Sequence, residues 1–406
     1  MKIAILGGSF NPIHLGHLFL ADAVLASGYG RVIFVPAFQS PFKAGAKGPS
    51  PSDRLDMLCA SIAGDHRLTV DDCEIRRAGV SYTVDTIADI KQRYLPEGKP
   101  GLILGDDLAD TFYQWKDAAS IANETDIIIA RRLSKTQNAV SAEAFPFPHH
   151  ELENEIMDIS SRQVREKIQN GENWRSLVPE GARFIIEDRQ LYGYETVHEN
   201  TAEKSASFSL ETIAFFENLA RRTLSPSRFL HSRNTALLAR DLCLQYNLDP
   251  NAGYFAGITH DLCKSMDDEE IMFLAKSDGL EISKLEMGKP SLLHGRAAAV
   301  LLQTQYDIKD KAVIEAVQNH VTGGTGTGPL AKIIYIADKL EVSRYWIDTA
   351  LRSLKENAGL DDFFKAVLDY TVSHINSRYM KISGETKKLL SAMEDKSSSG
   401  LQEEKT

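Results

Sequence analysis

The chain has 406 residues, 43% of them hydrophobic and 25% charged, and a formal net charge of −10. That length exceeds one ordinary core and suits two domains, while the acidic balance excludes a general nucleic-acid surface, which needs a basic stripe. No apolar run approaches the roughly 20 residues that cross a bilayer, and the opening MKIAIL is too short for a signal peptide, so a cytoplasmic chain with no membrane partner is expected.

In chain order, Ile- and Val-rich runs at Lys2–Leu6, Arg31–Pro36, Gly101–Leu104 and Thr125–Ala130 alternate with amphipathic stretches at Leu15–Ser27, Ser52–Ala63 and Val84–Tyr94. Strands alternating with helices predict a parallel sheet with right-handed crossovers, hence a Rossmann-like α/β domain over residues 1–194. Residues 195–207 (ETVHENTAEKSAS) are polar and aperiodic and read as a linker. Beyond them almost nothing alternates with period two. Helical stretches at Leu210–Arg222, Arg233–Tyr246, Tyr254–Leu262, Glu269–Ala275, Ala297–Thr304, Lys311–Asn319, Ala331–Leu340 and Leu360–Asn376 predict an all-α domain over 208–393. Residues 394–406, with their Ser-Ser-Ser-Gly run, read as a disordered tail. The four cysteines form no CxxC pair and are expected to be reduced thiols.

The first strand runs into Gly7-Gly8-Ser9-Phe10-Asn11-Pro12-Ile13-His14-Leu15-Gly16-His17. In a parallel sheet, ligands sit beyond the carboxyl ends of strands, where helix N-termini direct unpaired N–H groups at anions. Glycines let the backbone approach phosphate, and His14 and His17, three apart, share one helix face. Further on, Ser160-Ser161 precedes a helix, where such a pair caps it and offers amides and hydroxyls to phosphate. Arg165 lies one turn inward.

These strings resemble the HxGH and ISSTxIR signatures of the nucleotidyltransferase superfamily, and GGSFNPIHLGH resembles its nicotinate-nucleotide adenylyltransferase branch. The resemblance implies that Gly8, Ser9, Phe10, Asp106, Arg131, Ser160 and Ser161 bind ATP, and that His14, His17, Lys43 and Arg165 supply charge for catalysis. Lys43 ends a PFK segment similar to the family's PHK, with Phe42 in place of histidine, and Arg132 replaces the proline of an ARP-like segment. Ser81-Tyr82-Thr83-Val84-Asp85-Thr86 is similar to the SYTxDT segment that reads the nicotinate carboxylate, so Tyr82, Thr83 and Trp115 are expected at the pyridine ring. The implied reaction joins ATP and nicotinate mononucleotide into deamido-NAD, with Mg²⁺ accompanying ATP. Alignment and charge neutralisation carry such a transfer, so no nucleophile motif is required.

In the helical half, His231, His260-Asp261, His294, His320 and Asp338 follow in order, with Lys264 one turn after the His-Asp pair. Asp338 stands inside an apolar helix, where a carboxylate is costly unless paired or bound to metal. This series resembles the H…HD…H…H…D pattern of the HD superfamily. HDLCK, LHG and KIIYIAD resemble its symmetrical diadenosine-tetraphosphate hydrolases, although Val321 replaces a threonine of their HTTG. The resemblance implies that His231, His260, Asp261 and Asp338 hold one metal, and that His294 and His320 hold a second bridged by Asp261. Fe is expected, with Mn as the alternative. Two such ions activate water and clamp phosphate, Lys264 meets the substrate phosphate, and a dinucleoside polyphosphate yields ADP.

Two alternatives stay open. The first half could serve another acceptor, such as phosphopantetheine, although SYTVDT and Trp115 argue against it. The second could act on another nucleotide or be a non-catalytic regulatory module, although a complete ligand set argues against decay. The oligomeric state is not encoded legibly.

Overall fold

The computed structural model describes residues 1–39, 41, 48–131, 145–154, 157–195, 208–342, 344, 349–378 and 381–403. Lys43 and all of the expected linker except Glu195 lie outside the described residues. The chain divides into two compact units, Met1–Asn200 and Thr201–Thr406.

The first unit opens with β1 (Ile3–Gly8), α1 (Leu15–Ala26), β2 (Arg31–Pro36), α2 (Pro51–Ile62) and β3 (Leu68–Val70). α3 (Cys73–Arg77), α4 (Thr83–Tyr94), β4 (Gly101–Gly105), α5 (Asp106–Ala109), α6 (Ala118–Glu124) and β5 (Asp126–Ala130) follow. β6 (His149–Leu152), α7 (Ser161–Gln169) and α8 (Glu180–Asp188) complete it. The sheet order is β3-β2-β1-β4-β5-β6, all parallel. β1, β2, β4 and β5 are the expected strands. They are buried on both faces, which is why they read as continuous apolar runs. β3 has three residues and β6 is a polar edge strand with Glu151 exposed, so neither carries that signal. Strand order reverses between β1 and β4, and such a switch point opens a crevice at the strand carboxyl ends.

The second unit contains no strand among its described residues. It comprises α9 (Leu210–Thr223), α10 (Pro226–Gln245), α11 (Pro250–Thr259), α12 (Asp268–Lys276), α13 (Lys284–Gly288) and α14 (His294–Gln305). α15 (Lys311–Asn319), α16 (Pro329–Leu340), α17 (Thr349–Ser353), α18 (Leu360–Ser377) and α19 (Gly384–Glu403) follow. α10 and α11 approach closely because α11 presents glycine where they meet: a Cβ on Gly257 would lie 2.4 Å from the Ala236 Cα. That approach carries the C-terminal end of α11, and with it His260, toward His231 on α10 (ring centroids 5.4 Å apart). The structure differs from the expected disordered tail, since α19 continues to Glu403. A helix already nucleated by GETKKLLSAMEDK extends at one hydrogen bond per residue, and serines end it only weakly. Among the described residues no helix is long and apolar enough to cross a membrane.

Candidate active sites

In the first unit, two signatures far apart in sequence meet at one loop. The Ser161 hydroxyl donates to the Pro12 carbonyl at 2.8 Å, and Arg165 Nη1 donates to the Asn11 carbonyl at 2.6 Å. Arg165 therefore holds the loop between β1 and α1 in shape, besides placing its charge there. Ser160 caps α7 by accepting from the Gln163 N–H at 3.2 Å.

His14 is the N-cap residue of α1, and its ring lies 3.7 Å from that of His17, centroid to centroid. The His14 backbone N–H donates to His17 Nδ1 at 3.2 Å. A neutral His17 that accepts at Nδ1 carries its hydrogen on Nε2, as a donor for an anionic oxygen. A Cβ on Gly16 would sit 3.0 Å from His14 Nδ1, so the glycine between the two histidines leaves room for the His14 ring. One pocket is lined by His14, Gly16, His17, Leu20, Arg131, Asn154, Met157 and Ile159, the last immediately before Ser160-Ser161. Asn154 exchanges hydrogen bonds with the Arg131 backbone at 2.9 and 3.0 Å, tying the end of β5 to the approach to α7.

Other expected residues divide differently. Gly8 ends β1 and Ser9 follows it in the same loop, whereas the Phe10 side chain is buried against Phe34 and the edge of His17, and so shapes the loop from beneath. Asp106 starts α5 at the end of β4. Tyr82 and Thr83 stand at the N-terminus of α4, with the Lys116 ammonium 4.5 Å from the Tyr82 ring centre. The Ser81 N–H donates to the Gln39 carbonyl at 2.9 Å, joining this segment to the chain after β2. Trp115 packs on Phe112, 5.3 Å between centroids, and its buried Nε1–H has no hydrogen-bond partner among the described residues.

Sequence reasoning missed Arg54. This buried guanidinium on α2 donates to the carbonyls of Ser9 and Ala37, each at 2.7 Å, and Phe38 at 3.3 Å. It thereby joins the loops that leave β1 and β2. Its signal was present: Arg54 falls on the same face as buried Met57, Leu58 and Ser61.

In the second unit the six expected ligands converge in a buried cluster. Asp261 presents one oxygen to each side. Its Oδ1 lies 2.8 Å from His294 Nε2 and 3.8 Å from His320 Nε2, and its Oδ2 lies 3.8 Å from His231 Nε2 and 3.7 Å from His260 Nε2. Asp338 Oδ1 lies 3.1 Å from His231 Nε2 and 3.9 Å from His260 Nε2. Three overlapping triads, His231/His260/Asp261, His260/His320/Asp338 and Asp261/His294/His320, each bring ligand atoms within 4.8 Å of one another.

The opposite ring nitrogens are engaged. His260 donates to Gly257 O at 2.6 Å, His294 to Ser291 O at 2.7 Å and His320 to Val317 O at 2.7 Å, through Nδ1–H in each case. His231 Nδ1 donates to the carboxylate of Glu341, a buried residue also missed from sequence, at 3.1 Å. A hydrogen on Nδ1 leaves a lone pair on Nε2 in the neutral ring, the arrangement found around bound metals. His294 and His320 bring their Nε2 atoms to 3.0 Å, beside a carboxylate oxygen, and buried His260 Nε2 has no hydrogen-bond partner among the described residues. Converging acceptors repel unless a proton or cation lies between them, so these residues fit divalent cations.

Charge agrees with this reading. Burial drives His260 down to about 3, keeping it neutral. Burial alone would raise Asp261 and Asp338. The imidazoles of His260, His294 and His320 around it hold the first well below the usual carboxylate range, and Lys339, His231 and Arg344 hold the second there. Lys264 Nζ lies 3.3 Å from His294 Nδ1, at the edge of the cluster.

Comparison with known proteins divides the chain in the same way. The cytidylyltransferase-like family model matches residues 5–167 and the HD domain model residues 228–343. The chain is 41% identical over 202 residues to a probable nicotinate-nucleotide adenylyltransferase of Treponema pallidum, covering 47% of this chain and 99% of the relative. A protein of the same description from Borreliella afzelii is 38% identical over 193 residues, covering 47% of this chain and 97% of the relative. A solved structure from Clostridium acetobutylicum, described as a predicted HD superfamily hydrolase involved in NAD metabolism, is 26% identical with TM-score 0.42, covering 47% of this chain and 98% of that one.

Proposed function

Through its N-terminal half the chain belongs to the nicotinate-nucleotide adenylyltransferase family, and from that premise we propose a bifunctional enzyme. The first unit transfers adenylyl from ATP to nicotinate mononucleotide for NAD biosynthesis. The second, an HD domain, hydrolyses a dinucleoside polyphosphate such as diadenosine tetraphosphate to ADP.

In the transfer, the acceptor's phosphate oxygen attacks the α-phosphorus of ATP as the bond to the β-phosphate oxygen breaks, and pyrophosphate leaves. Mg²⁺ bound to ATP would neutralise phosphate oxygens. The observation that supports this reading is the junction of Ser161 and Arg165 with the Asn11-Pro12 loop, alongside His14 and His17. His17 Nε2–H would donate to oxygens gaining charge, Arg54 would keep the loops at their spacing, and Lys43 would contact ATP phosphates. The N-terminus of α4 with Tyr82 and Thr83 would take the nicotinate carboxylate, and Trp115 the ring. Assaying nicotinate and nicotinamide mononucleotides side by side tests this; a clear preference for the acid is expected, and equal kcat/KM contradicts the carboxylate reading.

For the hydrolase, the supporting observation is Asp261, with one oxygen toward His231 and His260 and the other toward His294 and His320. His231, His260, Asp261 and Asp338 would hold one divalent ion, with His294, His320 and Asp261 holding the second, Fe or Mn. Such a pair supplies Lewis acidity and an activated water. The carbonyls of Gly257, Ser291 and Val317 and the Glu341 carboxylate keep the imidazoles aimed, and Lys264 meets phosphate. Incubating the metal-loaded full chain with diadenosine tetraphosphate should release ADP. Release of AMP and ATP instead would contradict the symmetrical cut.

A further inference from the structure

Two arginines grip the carboxylate oxygens that face the imidazole cluster. Arg228 Nη1 lies 3.0 Å from Asp261 Oδ2, and Arg344 Nη2 lies 2.8 Å from Asp338 Oδ1. These same oxygens look toward Nε2 of His231 and His260 at 3.1–3.9 Å, so they are the ones a cation among the imidazoles would take. An oxygen cannot serve a divalent ion and a guanidinium equally, because the two cations repel at that separation.

Both arginines have somewhere to go. Their side chains are 36% and 26% exposed, whereas Asp261 and Asp338 are buried, so each guanidinium reaches from the site's mouth inward. Two more cations stand beside them: Lys339 Nζ lies 2.5 Å from Asp338 Oδ2, and Lys264 is at His294. The three buried carboxylates of Asp261, Asp338 and Glu341 cannot balance four side-chain cations and two divalent ions. The loaded site therefore calls for a ligand with many negative charges, which a single phosphate monoester does not carry and a run of bridged phosphates does.

We infer that Arg228 and Arg344 are the specificity-determining residues of the hydrolase site, released from Asp261 and Asp338 on metal loading to bind successive phosphates of a polyphosphate chain. Guanidinium forks match phosphate oxygens two at a time, which a lysine does not reproduce. The inference rests on the two-metal reading of this site and extends it to residues outside the ligand set.

The test uses the full chain loaded with Mn²⁺, and its Arg228→Gln and Arg344→Gln variants, with Arg→Lys at each position. Metal content is measured first, then affinity for inorganic tripolyphosphate by calorimetry, then kcat/KM on diadenosine tetraphosphate and on p-nitrophenyl phosphate. The variants should keep their metal and bind tripolyphosphate roughly tenfold or more weakly, the scale of a lost charge-assisted hydrogen bond. They should also lose at least about tenfold more on the tetraphosphate than on the monoester, with Lys restoring only part. Equal losses on both substrates, unaltered tripolyphosphate affinity, or loss of metal in step with affinity would each overturn the inference. A wild-type chain that binds tripolyphosphate through these arginines yet cleaves no dinucleotide would refute the substrate reading alone.

Discussion

On the proposed function the two units meet the same problem, a phosphoanhydride under attack, with opposite electrostatics. In the first, the loop after β1 is built from protein cations and backbone: Arg54 gathers carbonyls from two loops, Arg165 takes another, and His14 and His17 stand at the start of α1. In the second, the centre is a knot of carboxylates and imidazole lone pairs, with cations at its margin. A site of donors receives an anion directly. A site of acceptors receives it only through cations, so the two activities should separate under perturbations that touch donors or acceptors alone.

The largest separation should come from Asp261. Asp261→Ala removes the oxygen offered to each imidazole pair, and losing several kcal/mol of transition-state stabilisation lowers hydrolysis by about 10³-fold or more, while adenylyl transfer continues. Hydrolysis at the wild-type rate would break the comparison. His17→Ala is the mirror experiment. Removing one preorganised donor should lower kcat for adenylyl transfer by roughly 10²–10³-fold and leave dinucleotide hydrolysis intact, as single-turnover assays on one preparation would show.

Arg54→Met sharpens the account of the first unit. It strands three loop carbonyls, so stability should fall by roughly 1–3 kcal/mol in denaturant titration, with KM for ATP rising. A destabilised variant whose KM for ATP stays put would make Arg54 structural only. The smallest effect concerns Asp71, whose buried carboxylate accepts from Arg93, Tyr94 and the Cys73 N–H at 2.6–2.9 Å. Burial opposes ionisation, yet these bonds, Arg93 first, keep its pKa lowered. A depressed folded pKa contributes stability above the unfolded carboxylate value, and that stability is lost as pH falls through the folded one. Asp71→Asn should therefore flatten the acid limb of the stability–pH curve, and an unchanged limb would show that other carboxylates control it.

How much was legible depended on the kind of residue. β2 was readable to its ends because RVIFVP is buried on nearly every position, whereas β6, HHEL, gives an edge strand no apolar signature. His260-Asp261 and Asp338 stood out because acids and histidines are costly in apolar helices. Arg54, Arg228 and Arg344 did not, since an arginine in an amphipathic segment looks like solvent-facing charge until the fold shows which carbonyl or carboxylate it meets. Glu341 could have been found: it follows Asp338 by three residues, as the C-cap of an apolar helix.

Chelation of the full chain tests the contrast most directly. After exhaustive treatment and dialysis, Mg²⁺ alone should restore adenylyl transfer, while dinucleotide hydrolysis should stay absent until Mn²⁺ or Fe²⁺ is supplied. Hydrolysis that persists in a preparation shown to contain no transition metal would contradict the account.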